Sequence, residues 1–261
     1  MSRVRQPAVA DQFYPGDAEK LSRMLDDFLA ETEAALPPPK ALIVPHAGYI
    51  YSGSIAASAY ATLAPLRELI RRVVLLGPSH RVALKGLASS TAEAFATPLG
   101  EVTLDRQGID QALRLPQVLL MDQAHAFEHS LEVQLPFLQR LLADFTLVPF
   151  VVGDATTDAV AQVLDLLWGG PETLIVVSSD LSHYLDYDAA QRMDSATSAA
   201  IEALRPEDIG RDQACGRIPL KGLLRAAQRR GLRARTLDQR SSGDTAGSHD
   251  QVVGYGAYVI Y

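Results

Sequence analysis

The segment ALIVPH (41–46) carries four apolar residues into a proline and then a histidine. A short apolar run closed by a breaker reads as a strand buried on both faces. The pattern recurs. VVLLGPSH (73–80) ends in His80, TLIVVSSDLSH (173–183) ends in His183, and FTLVPFVVG (145–153) is a fourth run of the same kind. Stretches with helical spacing separate them, at 54–63, 108–113, 129–142, 189–204 and 220–230, after an amphipathic helix that begins near Asp17. Pro136 is placed to kink or split the 129–142 helix. Residues 86–105 read as a β-hairpin turning around Thr97, Pro98 and Gly100, and two late strands, 234–240 and 251–261, close the chain. The proline-rich stretch 31–40 is the loosest segment. Alternation of apolar strands with helices defines an α/β protein. The expected architecture is a three-layer α/β/α sandwich with a mostly parallel central sheet plus antiparallel additions, in one domain spanning 1–261.

Bulk properties narrow the function. With 48% hydrophobic and 21% charged residues, a chain of 261 residues can bury a sizeable core. A net charge of −7 argues against a general nucleic-acid role, which needs a concentrated basic patch. The densest basic stretch, RAAQRRGLRAR (225–235), has the spacing of a solvated helix face. One cysteine, Cys215, excludes an intrachain disulfide framework and fits a reducing cytoplasm. With no motif around it, it reads as structural. No apolar leader and no run near the ~20 residues of a membrane helix is present. The expectation is a soluble cytoplasmic protein with no membrane partner.

Ligands of open α/β sheets gather outside the carboxyl ends of the strands. Of six histidines, His46, His80 and His183 follow apolar strands and are expected to converge there. In FEHSLEVQLPF (127–137), Glu128 and His129 stand at a helix start and read as part of the same site. Glu132, one turn on from His129, is either a further site residue or a cap of the first turn. His125 reads as a loop residue and His249 as a surface residue. Asp180, three residues before His183, is placed to orient it and fix its tautomer. Asp244, in SSGDTAGSHDQ (241–251), reads as a turn residue. Two histidines and a carboxylate with open positions describe a non-haem Fe(II) centre, while imidazole also suits zinc or copper. A further histidine, ordinarily titrating near neutrality, can act as general acid or base. No G-x-G-x-x-G, Walker A or G-x-S-x-G motif occurs.

The blocks RQPAVADQFYPGD (5–17), PHAGYIYSG (45–53), LLGPSH (75–80), EHSLEVQLPFL (128–138), SSDLSHY (178–184) and the closing SSGDT and VVGYGAY together resemble the MEMO family. Its prokaryotic members are also called AmmeMemoRadiSam system protein B. The resemblance runs over essentially the whole chain, in order. It implies a fold similar to that of class III extradiol dioxygenases, non-haem iron enzymes that open catechol rings. It implies that His46 and His80 are metal ligands and that a C-terminal loop supplies a third. The animal member has a cysteine there, and the alignment places Asp244 at that position, giving a 2-His-1-carboxylate set. His183 matches the dioxygenases' acid/base histidine. By the same analogy Phe13, Tyr14, Tyr49 and Tyr51 line the pocket, with core packing as the other reading.

The function this implies is a metal-dependent oxidoreductase of the extradiol type, with Fe(II) as cofactor and a vicinal diol or similar small molecule as substrate. The animal member is described as an adaptor that binds phosphotyrosine peptides, so a peptide- or protein-binding scaffold is the alternative. A metal-dependent hydrolase is the third. The prokaryotic name implies association with a radical-SAM protein and a further partner.

Overall fold

Strands that carry apolar residues on both faces are stable only when both faces are covered, and the chain folds to meet that demand. A computed structural model describes residues 3–32 and 38–261, so the expected loose segment 31–40 falls partly outside it. The strands are β1 (Val4–Arg5), β2 (Ala41–Val44), β3 (Arg72–Pro78), β4 (Leu87–Ser89), β5 (Ala94–Thr97), β6 (Gly100–Thr103), β7 (Val118–Leu120), β8 (Thr146–Val152), β9 (Thr173–Ser178), β10 (His183–Leu185), β11 (Ala234–Ser241) and β12 (Val252–Ile260). The helices are α1 (Ala18–Ala30), α2 (Tyr49–Tyr60), α3 (Arg106–Ala112), α4 (Asp122–Ala126), α5 (Leu135–Leu141), α6 (Thr157–Leu167), α7 (Tyr187–Glu202) and α8 (Arg217–Arg229).

The main sheet runs β10-β12-β2-β9-β3-β8-β4-β7, with β11 also paired to β12. Its centre, β2-β9-β3-β8, is all parallel. The additions β12 and β4 are antiparallel to β2 and β8. Because the four central strands point the same way, their carboxyl ends share one edge. His46, Ser178, His80 and Gly153 are delivered there. Every residue of β2 and β9 is buried, as is nearly every residue of β3 and β8. Helices α6 and α8 pack on each other, and α8 also lies on β3 and β9; α1, α2 and α5 form another packed group. The result is the α/β/α sandwich with a mixed sheet. Among the described residues, no helix is long and apolar enough to cross a membrane.

Two expected elements come out differently. The hairpin is confined to β5 and β6, which join β1 in a separate three-stranded sheet, while β4 enters the main sheet. The expected helix over 129–142 is shorter. Residues 128–131 lie outside any helix, a 3-10 turn follows at Glu132–Gln134, and α5 then begins. Pro136 falls in the first turn of α5, where a missing N–H removes no helical hydrogen bond.

Glu132 belongs to neither of its expected roles. Fully buried, its carboxylate accepts from Arg5 Nη1 at 2.6 Å, the backbone N–H groups of Ala8 (2.7 Å) and Val9 (3.0 Å), and Tyr14 Oη at 2.6 Å. Arg5 also donates to the carbonyls of His125 and Glu128. The amino-terminal segment is thereby fastened to the loop that carries Glu128 and His129. Breaking a buried pair from one side strands the other charge, which costs about 3–5 kcal/mol. Glu132→Ala should lower unfolding free energy by that order in urea denaturation, with Arg5→Ala giving a comparable loss.

Candidate metal centre

At the shared strand edge three imidazoles meet. Ring centroids are 5.2 Å apart for His46 and His80, 5.4 Å for His46 and His129, and 4.7 Å for His80 and His129, the last pair stacked at 17°. Ligand atoms of His46, His80 and Cys215 all lie within 4.8 Å of one another, and those of His80, Glu128 and His129 form a second such group. Sequence reasoning placed His46 and His80 here and read Cys215 as structural.

Hydrogen bonding fixes the tautomers. Ser178 Oγ has one proton, and its 2.6 Å contact to the Ser130 carbonyl uses it. Ser178 therefore accepts from Gln134 Nε2 at 2.8 Å and from His46 Nδ1 at 2.9 Å. With Nδ1 protonated, His46 Nε2 keeps its lone pair, 3.3 Å from Cys215 Sγ. Gln134 is itself held by the Pro45 carbonyl and by Tyr60 Oη. His80 follows the same logic. Its Nδ1 lies 2.9 Å from Glu128 Oε1 and its backbone N–H donates to Glu128 Oε2 at 2.6 Å, so Nε2 is free to coordinate. Burial opposes ionisation of Glu128, but the hydrogen bonds it accepts from the His80 ring and N–H and from the Ser130 N–H hold it down at about 2. Burial, with the neighbouring His80 and His129, pushes His46 well below its ordinary value, so it is neutral.

Two close approaches assemble the site. A Cβ on Gly77 would lie 2.7 Å from Ser130 Oγ, so only glycine lets the 128–131 loop press against the end of β3. A Cβ on Gly216 would meet the Ser178 carbonyl at 2.7 Å, and the Gly216 N–H donates to Ser179 Oγ at 2.9 Å. That contact brings Cys215 against β9. Burial, and then the charge of Asp180, push the Cys215 thiol upward, so without a cation beside it the thiol is protonated.

The residues present fit a metal ion. Tetrahedral zinc-type bonds separate nitrogen and sulfur donors by roughly 3.5 Å, close to what His46 and Cys215 already hold. Both imidazoles offer Nε2, and buried His129 Nδ1 has no hydrogen-bond partner.

Asp244, expected as the third ligand, lies apart from both donor groups in this structure. It caps the short turn Ser242–Asp244, accepting from the Ser241 N–H (2.7 Å), Ser241 Oγ (2.9 Å) and Tyr187 Oη (2.6 Å). The third atom grouped with those of His46 and His80 is Cys215 Sγ, from the loop before α8. A sole cysteine followed by glycine at a helix start was the available signal.

Asp180 does not orient His183. Buried, it accepts from the His46 N–H at 2.7 Å, and burial raises its pKa against that hydrogen bond. His183 instead donates from Nδ1 to the Leu181 carbonyl at 2.9 Å. It lies near enough to His46 and Asp180 to act on both electrostatically. Tyr184 follows at φ 59°, a left-handed turn that non-glycine residues rarely adopt.

Among the expected pocket aromatics, Phe13 packs on His129 with centroids 4.9 Å apart, and Tyr51 is half-buried against the core. Tyr14 and Tyr49 are buried instead, their hydroxyls donating to Glu132 and to the Val133 carbonyl. His125 is no loop residue. It is buried in α4, Nε2 on the Ala88 carbonyl. His249 is exposed and stacked on Tyr187.

Fold and site together define a mixed-sheet α/β protein with a His-His-Cys candidate metal centre at the carboxyl edge of its parallel strands. A family described as "Memo-like protein" matches residues 5–259. A "MEMO1 family protein" of Aquifex aeolicus is 36% identical over 264 residues, covering 97% of each chain. One of Methanosarcina acetivorans is 37% identical over 271 residues, covering 98% of this chain and 99% of the relative. The chain belongs to the Memo family. In fold it is also similar to an uncharacterized protein of Escherichia coli K12 whose crystal structure is known, with a TM-score of 0.54 at 14% identity, covering 82% of this chain and 98% of that one.

Cys215→Ser should abolish tight metal uptake while Asp244→Ala keeps it, read by metal analysis after dialysis. Ser178→Ala frees the His46 tautomer and should weaken metal binding by roughly 10–100-fold, the usual effect of losing such a supporting contact. Because metal must displace the thiol proton of Cys215, apparent affinity should rise about tenfold per pH unit from roughly pH 6 to 8. Calorimetric titration across pH would show that slope in the native chain and its loss in Cys215→Ser.

Proposed function

We propose that the chain is a metal-dependent oxidoreductase acting on a small bidentate substrate such as a vicinal diol, with the ion held by His46, His80 and Cys215. The observation that carries this reading is the convergence of three donor atoms whose imidazole tautomers are already set for coordination. Bound ferrous iron would supply the one-electron chemistry that lets dioxygen react with the substrate. Three protein donors leave positions open on the ion for substrate.

The chain's own residues divide the remaining work. His183, its Nδ1 tied to the Leu181 carbonyl, takes a proton from a substrate hydroxyl at Nε2 and returns it. His129 stacks on His80 with its buried Nδ1 3.5 Å from Glu128 Oε1, and supports the His80 ring. Asp180 and Glu128 are positioning residues, the first for His46 and the second for His80.

A thiolate in place of a carboxylate softens the donor set relative to the 2-His-1-carboxylate expectation. It raises copper and zinc as candidate ions. It also favours one second reading, a zinc hydrolase in which the open position activates water. The resemblance to extradiol dioxygenases supports the redox reading, and on that resemblance alone a radical-SAM protein is proposed as partner.

The test is oxygen uptake by anaerobically prepared protein loaded separately with Fe(II), Cu(I) and Zn(II), in the presence of catechol-type diols. Consumption is expected with iron. His183→Ala should lose at least about 100-fold of it at unchanged metal content. Ester or amide hydrolysis by the zinc form under nitrogen would replace this reading with the hydrolase. Full metal loading with neither activity would leave a binding scaffold.

A further inference from the structure

Cys215 lines more than the imidazole cluster. It also borders a cavity of about 470 Å³ at the carboxyl ends of β3 and β8, walled by Pro78, Ser79, Asp154, Arg211 and Arg217 among others. That volume suits a small molecule. One of the two arginines is placed against ordinary electrostatic preference. Arg217 is the first residue of α8, where the helix dipole is positive and a cation is disfavoured. The first turn of α8 carries no acidic residue, and Gly216 caps it without a side chain. Arg211 approaches the same space from the preceding loop.

Several arginines elsewhere in the carboxy-terminal part of the chain are paired. Arg205 pairs with Asp208 at 2.9 Å, Arg229 with Asp158 at 2.6 Å, and Arg230 with Asp165 at 2.5 Å. Among the described residues, neither Arg211 nor Arg217 forms an ion pair. The carboxylate lining this cavity, Asp154, leaves the balance positive, in a chain whose net charge is −7. A local conflict of this kind, unrelieved inside the fold, marks a place where a ligand supplies the missing partner.

We propose that this cavity binds the anionic group, carboxylate or phosphate, of a small substrate whose reacting end lies at the metal held in part by Cys215. Arg217, half-buried at the helix start, makes the principal contact, and Arg211 adds a second donor fork; guanidinium matches the paired oxygens of either anion. The placement of the reacting end rests on the metal-centre reading above. The anion site itself does not.

Inorganic phosphate and malonate are the probes, titrated calorimetrically into the full chain with and without metal. One of them should bind saturably, and which one does identifies the anion class. Arg217→Gln should weaken that binding about tenfold or more, and Arg211→Gln severalfold, both at unchanged metal content. Asp154→Asn should tighten it, which keeps the test alive should an arginine variant fold poorly. Equal binding in the native chain and all three variants, or no saturable binding of either probe, would overturn the proposal. A native chain that takes up no metal yet binds the anion through Arg217 would overturn the metal reading alone.

Discussion

A serine hydroxyl has one proton to give, and the centre depends on where Ser178 sends it. Because that proton goes to the Ser130 carbonyl, the imidazole of His46 must donate, and its far nitrogen is left open. The strand order makes this possible. Sitting between β2 and β3, β9 carries Ser178 to a point between the strands that deliver His46 and His80. Gln134 and Tyr60 extend the same chain of contacts into the core, so a polarity decided at the site edge is anchored by fully buried groups. The imidazoles crowd one another too closely for all to be charged. Burial and mutual repulsion keep His46 neutral, and the Glu128 carboxylate is held by His80 and backbone N–H groups. A buried carboxylate would be costly if half-satisfied, and here its hydrogen-bond partners are all in place.

The strand pattern was legible because burial on both faces leaves an unbroken apolar run, and parallel pairing then dictates a common edge. His46 and His80 could be placed by that argument alone. What could not be read locally were the contacts made by folding back. His129 stacks on His80 only because Gly77 lacks a Cβ, and Cys215 reaches β9 only because Gly216 does. Neither long-range contact leaves a periodic trace. Asp244 is the opposite case. Its spacing from Ser241 is a local cap signature, visible in the chain, and family analogy drew it away from that plainer reading. For Tyr14 and Tyr49, aromatic character was correctly noticed but its direction was not. Hydroxyls that donate inward to Glu132 and the Val133 carbonyl hold these rings in the core.

The amino-terminal segment is part of the site's support although it contributes no donor to either ligand group. Arg5 and Glu132 are separated by 127 positions, yet their contact ties the first residues to the loop holding Glu128. Phe13 then lies against His129. Polar fastening at one point and aromatic packing at the next place an otherwise short, irregular segment against the cluster.

Sheet order also sets a timetable for biosynthesis. β2, which delivers His46, is flanked by β9 on one side and by β12, the last strand of the chain, on the other. On a ribosome, β2 therefore emerges early and waits for both neighbours, and its second edge is covered only when residues 252–260 arrive. Cys215 too comes from the final fifth of the chain. The donor set is therefore not a local motif: His46 and His80 meet Cys215 only when segments far apart in the sequence have folded against one another.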